Sequence, residues 1–253
     1  MMIDEWADRL FAARRDGKPK PGCSAEAQDV DVAMAYRVQA AFVEKMVNAS
    51  PISGFKGALT NKAAQASMNM ESPASGVLLQ EMEWPNQSVV EKSKFIFPVM
   101  ETEIGMVIAR DVTNPISLAE LGQYIDCYQP MVEMADIGVA DPSSLTVFDF
   151  IAGNSAAAGY IAGDKSEITD VNNVSVSLYK DGELLHEGRG SDTMGDQGEA
   201  AVWLINQLLS QGYIIKQGHI LMTGSLGRVN MKTDTGEYIA DFGSFGKVQF
   251  EIK

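Results

Sequence analysis

The 253-residue chain is poor in the side chains that most often hold zinc or serve as a nucleophile's base, with 2 histidines and 2 cysteines. His186 and His219 leave little room for a histidine-based zinc site, and hydrolysis by a Ser-His pair has no support. Cys23 and Cys127 show no metal-type spacing, so each reads as a buried or idle thiol. Positive charge is also scarce: 20 Lys and Arg against 34 Asp and Glu give a net charge of -14. That balance excludes the basic footprint of non-specific nucleic-acid binding. An anionic substrate would meet an opposing global field, so a local cation must reverse the sign at any site that takes one. No apolar run is long enough to span a bilayer. The start, Met-Met-Ile-Asp-Glu-Trp, is acidic and amphipathic, unlike a signal peptide. Together with the low cysteine content, this sets an expectation of a cytoplasmic protein with no membrane and no nucleic-acid partner. Familiar motifs fail too. Gly188-Arg-Gly190 lacks the third glycine of a dinucleotide fingerprint, and Gly190-Ser-Asp-Thr-Met-Gly195 is followed by Asp196 where a P-loop needs lysine. Ser225 sits in Gly224-Ser-Leu-Gly, which is no nucleophile elbow.

What is present is globular. Hydrophobic residues make up 45% of the chain, enough for a sizeable core. Trp6, Leu10 and Phe11 fall near helical spacing between Asp4 and Arg15, and Gly17 to Gly22 reads as a linker. An apolar stripe from Val30 to Met46 predicts a long helix from Ala25 to about Val47, with Tyr36 and Gln39 as packing or surface residues. From Pro51 onward short apolar runs alternate with Gly, Asn and Asp. Val174–Tyr179, Asp181-Gly182 and the run after it form a hairpin signal, because Asp-Gly accommodates the tight turn. Glu199 to Leu209 predicts a helix closed by Gly212, while Gly218–Gly224 and Phe242–Ile252 predict strands that carry His219 and glycine turns. Strands without regular βαβ alternation point to an α+β fold with a mixed or antiparallel sheet.

The most informative segment is Pro98-Val-Met-Glu101-Thr-Glu103 with the apolar run to Ile108, followed thirty positions after Glu103 by Glu133. On a strand, side chains two apart share a face, so Glu101 and Glu103 point the same way with about 6–7 Å between their Cα atoms. Two carboxylates entering a buried strand repel each other unless a cation or proton lies between them. A hard divalent ion such as Mg²⁺ or Mn²⁺ is the simplest relief. On spacing alone, a strand entrance with both carboxylates in water is the commoner outcome.

Several stretches together resemble the 2-hydroxypentadienoate hydratases and 4-oxalocrotonate decarboxylases of the fumarylacetoacetase-like superfamily. They are Ala35-Tyr36-Arg-Val-Gln39, Gly54-Phe-Lys56-Gly-Ala-Leu-Thr60 with Gln65, Gly76-Val-Leu-Leu-Gln-Glu81-Met, Glu101-Thr-Glu103, Glu133, Ala152-Gly-Asn154-Ser155, Gly188-Arg-Gly-Ser191, Ala201-Val-Trp203-Leu and Leu221-Met-Thr-Gly224. The resemblance implies an α+β fold. An N-terminal helical segment, residues 1–50, precedes a catalytic mixed β-roll or sandwich core, residues 51–253. It implies that Glu101, Glu103 and Glu133 bind Mg²⁺ or Mn²⁺, that Lys56 and Glu81 are catalytic, and that Asn154, Ser155, Thr223 and Gly224 face the substrate. The implied activity is a metal-dependent lyase adding water to a 2-hydroxy-2,4-dienoate, with decarboxylation of a 2-oxo dicarboxylate as the alternative. A homo-oligomer is implied as well, with a complex with a neighbouring pathway enzyme as a further expectation. The expected chemistry needs a lysine of lowered pKa to shuttle a proton.

The sequence departs from the family pattern on the substrate side. Gly153 stands where the family commonly has Asp, and Ile137-Gly138 where it has Ser-Arg. Gly218-His219 replaces Gly-Asp, and Asp196-Gln-Gly198-Glu199 replaces His-Pro-Leu. Losing an arginine removes bidentate grip on a substrate carboxylate. These changes keep open a third reading, an inactive partner of an active subunit. The intact glutamates and Lys56 argue against it.

Overall fold

The structure is a computed structural model and describes every residue except Met1, Gln28 and Lys232. Helices α1 (Met2–Arg15) and α2 (Val32–Val47) come first. Then follow β1 (Ile52–Ala58), α3 (Lys62–Ser67), β2 (Ala74–Leu79), β3 (Glu83–Trp84), β4 (Val89–Val90), β5 (Pro98–Ile108), α4 (Leu118–Leu121) and β6 (Ile125–Asp136). The chain continues through α5 (Val147–Ala152), β7 (Gly159–Ala162), β8 (Ser175–Lys180), β9 (Glu183–Arg189), α6 (Gln197–Ser210), β10 (Ile220–Met222), β11 (Gly236–Asp241) and β12 (Lys247–Ile252).

A seven-stranded mixed sheet runs β2-β1-β10-β5-β6-β7-β3, and a five-stranded one runs β4-β12-β11-β8-β9. Val132, Met134, Leu178, Tyr238, Val248 and Phe250 fill the space between the two sheets. The other core lies under the helices, where Trp6, Leu10, Val38 and Phe42 join Phe55, Leu78, Met131 and Leu204. The N-terminal helices therefore share a core with the strands. Gln39, 1% exposed, ties them further by donating to the carbonyls of Ser75 and Ile151.

Local chemistry accounts for most boundaries. The long helix predicted from Ala25 starts at Val32 instead. Asp29 has a left-handed backbone, φ 62°, and the Asp31 side chain caps the helix by accepting from the Met34 N–H at 2.7 Å. Asp196 caps α6 in the same way through Glu199 N–H, so the helix begins at Gln197, two residues ahead of the predicted start. In the β8–β9 hairpin, Asp181 and Gly182 both take positive φ, 49° and 82°, as a two-residue turn of this hand requires. His219 falls just before the short β10, and Gly243–Phe245 make a 3₁₀ turn, so the two C-terminal strands are shorter than predicted. No helix among the described residues is long and apolar enough to cross a membrane.

Candidate metal centre

Strands β5 and β6 pair antiparallel with Glu101 directly opposite Glu133. Alternation decides the faces. Met100 and Ile104 on β5, and Val132 and Met134 on β6, enter the core between the sheets. Glu101, Glu103 and Glu133 must then point to the opposite side. One carboxylate oxygen from each lies within 4.8 Å of the others. Glu103 and Glu133 are fully buried and Glu101 is partly exposed.

Lys56, 2% exposed on β1, donates from Nζ to Glu133 Oε2 at 2.7 Å. In a flat sheet, β1 and β6 would be three strand spacings apart, about 14 Å, beyond the reach of a lysine. The 2.7 Å contact therefore requires the sheet to curl between β1 and β6. The chain just past β10 supplies a further donor, the Gly224 N–H, to Glu103 Oε2 at 2.8 Å. Gly224 has φ 128°, and a Cβ there would sit 2.1 Å from Thr60 Oγ1. Only glycine brings that N–H to the carboxylate.

The electrostatics are those of an anion cluster that Lys56 compensates only in part. Burial raises the Glu103 carboxyl well above its ordinary value, and repulsion from Glu133 and Glu101 adds to it. Burial likewise lifts Glu133 to about 7, although Lys56 pulls it down. Burial alone would lower the Lys56 ammonium, but Glu133, Glu101 and Glu103 together outweigh it and hold Lys56 above its usual value. The lowered lysine pKa expected from the chemistry is therefore not what this arrangement produces. A dication between the carboxylates would cancel the charges responsible.

Two oxygens test whether a metal fits. Glu103 Oε1 and Glu133 Oε1 are buried with no hydrogen-bond partner. Orphaned carboxylate oxygens inside a protein are costly unless something positive meets them. The donor set is all oxygen, as suits Mg²⁺, Mn²⁺ or Ca²⁺. Neither histidine joins it. His186 Nε2 lies 3.2 Å from Thr102 Oγ1, and His219 Nδ1 accepts from Lys216 N–H at 3.1 Å.

The remaining expected residues divide. Asn154 is buried beside the centre, with Oδ1 accepting from Val77 N–H and Nδ2 donating to the Val77 carbonyl, both at 2.8 Å. It thereby pairs the free edge of β2 as a strand would. Ser155 donates to the Ser75 carbonyl at 2.7 Å. Asn154, Ser155 and Ala156 all have positive φ, a consecutive strained run that presses against β2 next to Lys56. Thr223 donates to Gln197 Oε1, a fully buried glutamine that also holds the Gly190 carbonyl. Gln197 escaped the sequence reading, for a glutamine in the first turn of a helix carries no distinguishing pattern. Glu81 is not brought to the trio. It is exposed and paired with Arg14 at 3.0 Å, on the wall of a cavity of about 450 Å³.

With this geometry in place, comparisons with known proteins add the lineage. The profile of the Fumarylacetoacetate (FAA) hydrolase C-terminal family matches residues 54–252. A 2-oxo-hept-4-ene-1,7-dioate hydratase from Escherichia coli is 28% identical, with 98% of each chain covered. A 2-keto-4-pentenoate hydratase from Burkholderia vietnamiensis is 26% identical over 98% of this chain and 96% of the relative. The solved structure of 4-oxalocrotonate decarboxylase from Pseudomonas putida G7, complexed with magnesium and adipate, superposes with a TM-score of 0.92. It covers 99% of this chain and 97% of the other, at 24% identity. The chain belongs to the fumarylacetoacetate hydrolase C-terminal family.

Proposed function

We propose that this member of the fumarylacetoacetate hydrolase family is a divalent-metal-dependent hydratase that adds water to a 2-hydroxy-2,4-dienoate, in its 2-oxo-4-enoate form, to give a 4-hydroxy-2-oxo acid. The observation that carries the proposal is the convergence of Glu101, Glu103 and Glu133 with two buried oxygens unpartnered beside Lys56. The hydratases among its relatives support the same reading. The three glutamates would hold Mg²⁺ or Mn²⁺. When bound, the ion supplies Lewis acidity where negative charge develops on the 2-oxygen of the acid.

The chain's own residues do the rest. Gly224 N–H fixes the Glu103 carboxylate in one orientation. Lys56 Nζ, protonated and aimed into the cluster, holds the proton that must pass between the 2-oxygen and the carbon chain. Its charge also favours the enolate over the neutral acid. The strained run from Asn154 to Ala156 is buried, with Asn154 and Ser155 bonded to β2 next to Lys56. Glu81 contributes its charge to the cavity wall, where it pairs with Arg14.

The experiment supplies 2-hydroxypentadienoate with Mg²⁺ and follows loss of diene absorbance. Wild-type protein consumes the diene and Glu103→Ala, lacking a ligand, does not. CO₂ release from 4-oxalocrotonate without diene hydration would move the assignment to decarboxylation. Metal-independent activity in Glu103→Ala would end the chelate reading.

A further inference from the structure

The cavity of about 450 Å³ that Glu81 lines has an unexpected sign. In a protein of net charge -14, five basic side chains line it, Arg14 and Lys20 among them, against the carboxylates of Glu81 and Asp136. Lys20 comes from the linker that the sequence reading passed over. Its side chain lies across Gly138 and Gly153, two of the positions that depart from the family pattern. A Cβ on Gly138 would stand 2.5 Å from Lys20 Cε, and one on Gly153 would stand 3.1 Å from Lys20 Cδ. Gly138 also has φ 75°. Any side chain at position 138 would displace the lysine, so the glycines make its berth.

Lys20 Nζ donates to the carbonyls of Asp136 and Gly153, each at 3.2 Å. No carboxylate among the described residues lies within ion-pair distance of it. The Asp136 carboxylate is already spent on the N–H groups of Ile96, Phe97 and Gly138. An ammonium has three donors, so one remains for the cavity. Burial pushes the Lys20 ammonium down to about 8, with the nearby Lys56 charge contributing to the fall. Lys20 is thus still mostly charged near neutrality and within electrostatic reach of the centre. The physical path is short: Lys20 bonds Gly153, the next residue Asn154 packs at Gly76, and Gly76 abuts Lys56.

We propose that Lys20 binds a second carboxylate of the substrate, making this chain selective for dicarboxylic 2-oxo or 2-hydroxydienoic acids over their monocarboxylic counterparts. The proposal rests on the metal-lyase reading above, because the 2-oxo acid end must be held at the glutamates for the far end to reach Lys20. A purely structural lysine, stapling the end of α5 to the end of β6 through two carbonyls, would show no such preference.

The test measures binding of 2-oxoadipate and 2-oxohexanoate, equal in length and differing in the terminal carboxylate, by calorimetry with Mg²⁺ present. Wild-type protein should favour 2-oxoadipate by at least about tenfold, the size of one charge-assisted hydrogen bond. In Lys20→Met the ratio should collapse toward one with 2-oxohexanoate affinity unchanged, and Lys20→Arg should keep most of the preference. Equal affinities in wild-type protein overturn the role of Lys20 while leaving the metal site standing, and need no variant to fold. A preference that survives in Lys20→Met overturns it as well. Failure of both keto acids to bind in the presence of Mg²⁺ overturns the lyase reading and this proposal with it.

Discussion

Metal-free protein should lose stability as the pH rises through neutrality, and Glu133 is the reason. Its carboxyl titrates near 7 in the folded chain against an ordinary value of 4.5, because burial outweighs the pull of Lys56. A carboxyl raised in this way holds its proton more tightly folded than unfolded. Its contribution to stability is complete below about 4.5 and is lost as the pH climbs through about 7. The gap corresponds to about 3 kcal/mol, or about 6–12 °C in Tm for a domain of this size. Glu103 is raised by the same causes and acts in the same direction. His186 and His219, lowered by burial, act in the opposite sense, since their stabilisation is lost as pH falls. The informative quantity is therefore the difference between wild-type protein and Glu133→Gln. Thermal unfolding in chelator from about pH 5.5 to 8 should show the wild-type Tm falling relative to the variant. Added Mn²⁺ should reverse the trend in wild-type protein, because a metal needs the carboxylates ionised. Parallel Tm curves for the two proteins across that range would refute the claim that the cluster is a partly compensated proton trap.

Two further perturbations separate chemistry from support. Lys56→Ala should abolish turnover and leave Mn²⁺ affinity nearly unchanged, since Lys56 pairs with Glu133 but has no oxygen to offer a metal. Wild-type-like turnover, or loss of metal binding equal to that of Glu103→Ala, would contradict the assignment. Asn154→Ala should lower Tm by about 6–12 °C, from about 3 kcal/mol, because it strands both Val77 backbone groups and removes a residue tolerant of the left-handed backbone. A thermal scan showing a negligible shift would mean that water or a neighbour replaces both bonds.

The shared face of Glu101 and Glu103 was legible because strand periodicity acts over short range. Glu101 and Glu103 share a face by the two-residue repeat of β5, and the apolar run after them marks that strand as buried. The Asp-Gly hairpin and the amphipathic α6 were readable for the same reason, as local rules operating within a few residues. Glu133 could be attached to the pair only by resemblance, for no local rule states which strand will lie beside β5. The register that sets Glu101 against Glu133 is a tertiary fact. So is the curl that brings Lys56 on β1 to Glu133 on β6. Glu81 and Lys20 show the limit most clearly. The motif places Glu81 near the chemistry, and only the fold shows that Arg14 from the first helix pairs with it on the cavity wall. Nothing in the stretch from Gly17 to Gly22 announces a binding residue, and Gly138 and Gly153 register in the sequence only as missing side chains. That one lysine fills the space left by both is decided where the linker, β6 and α5 meet, because steric fit and charge compensation depend on distance in space, which chain order alone does not set.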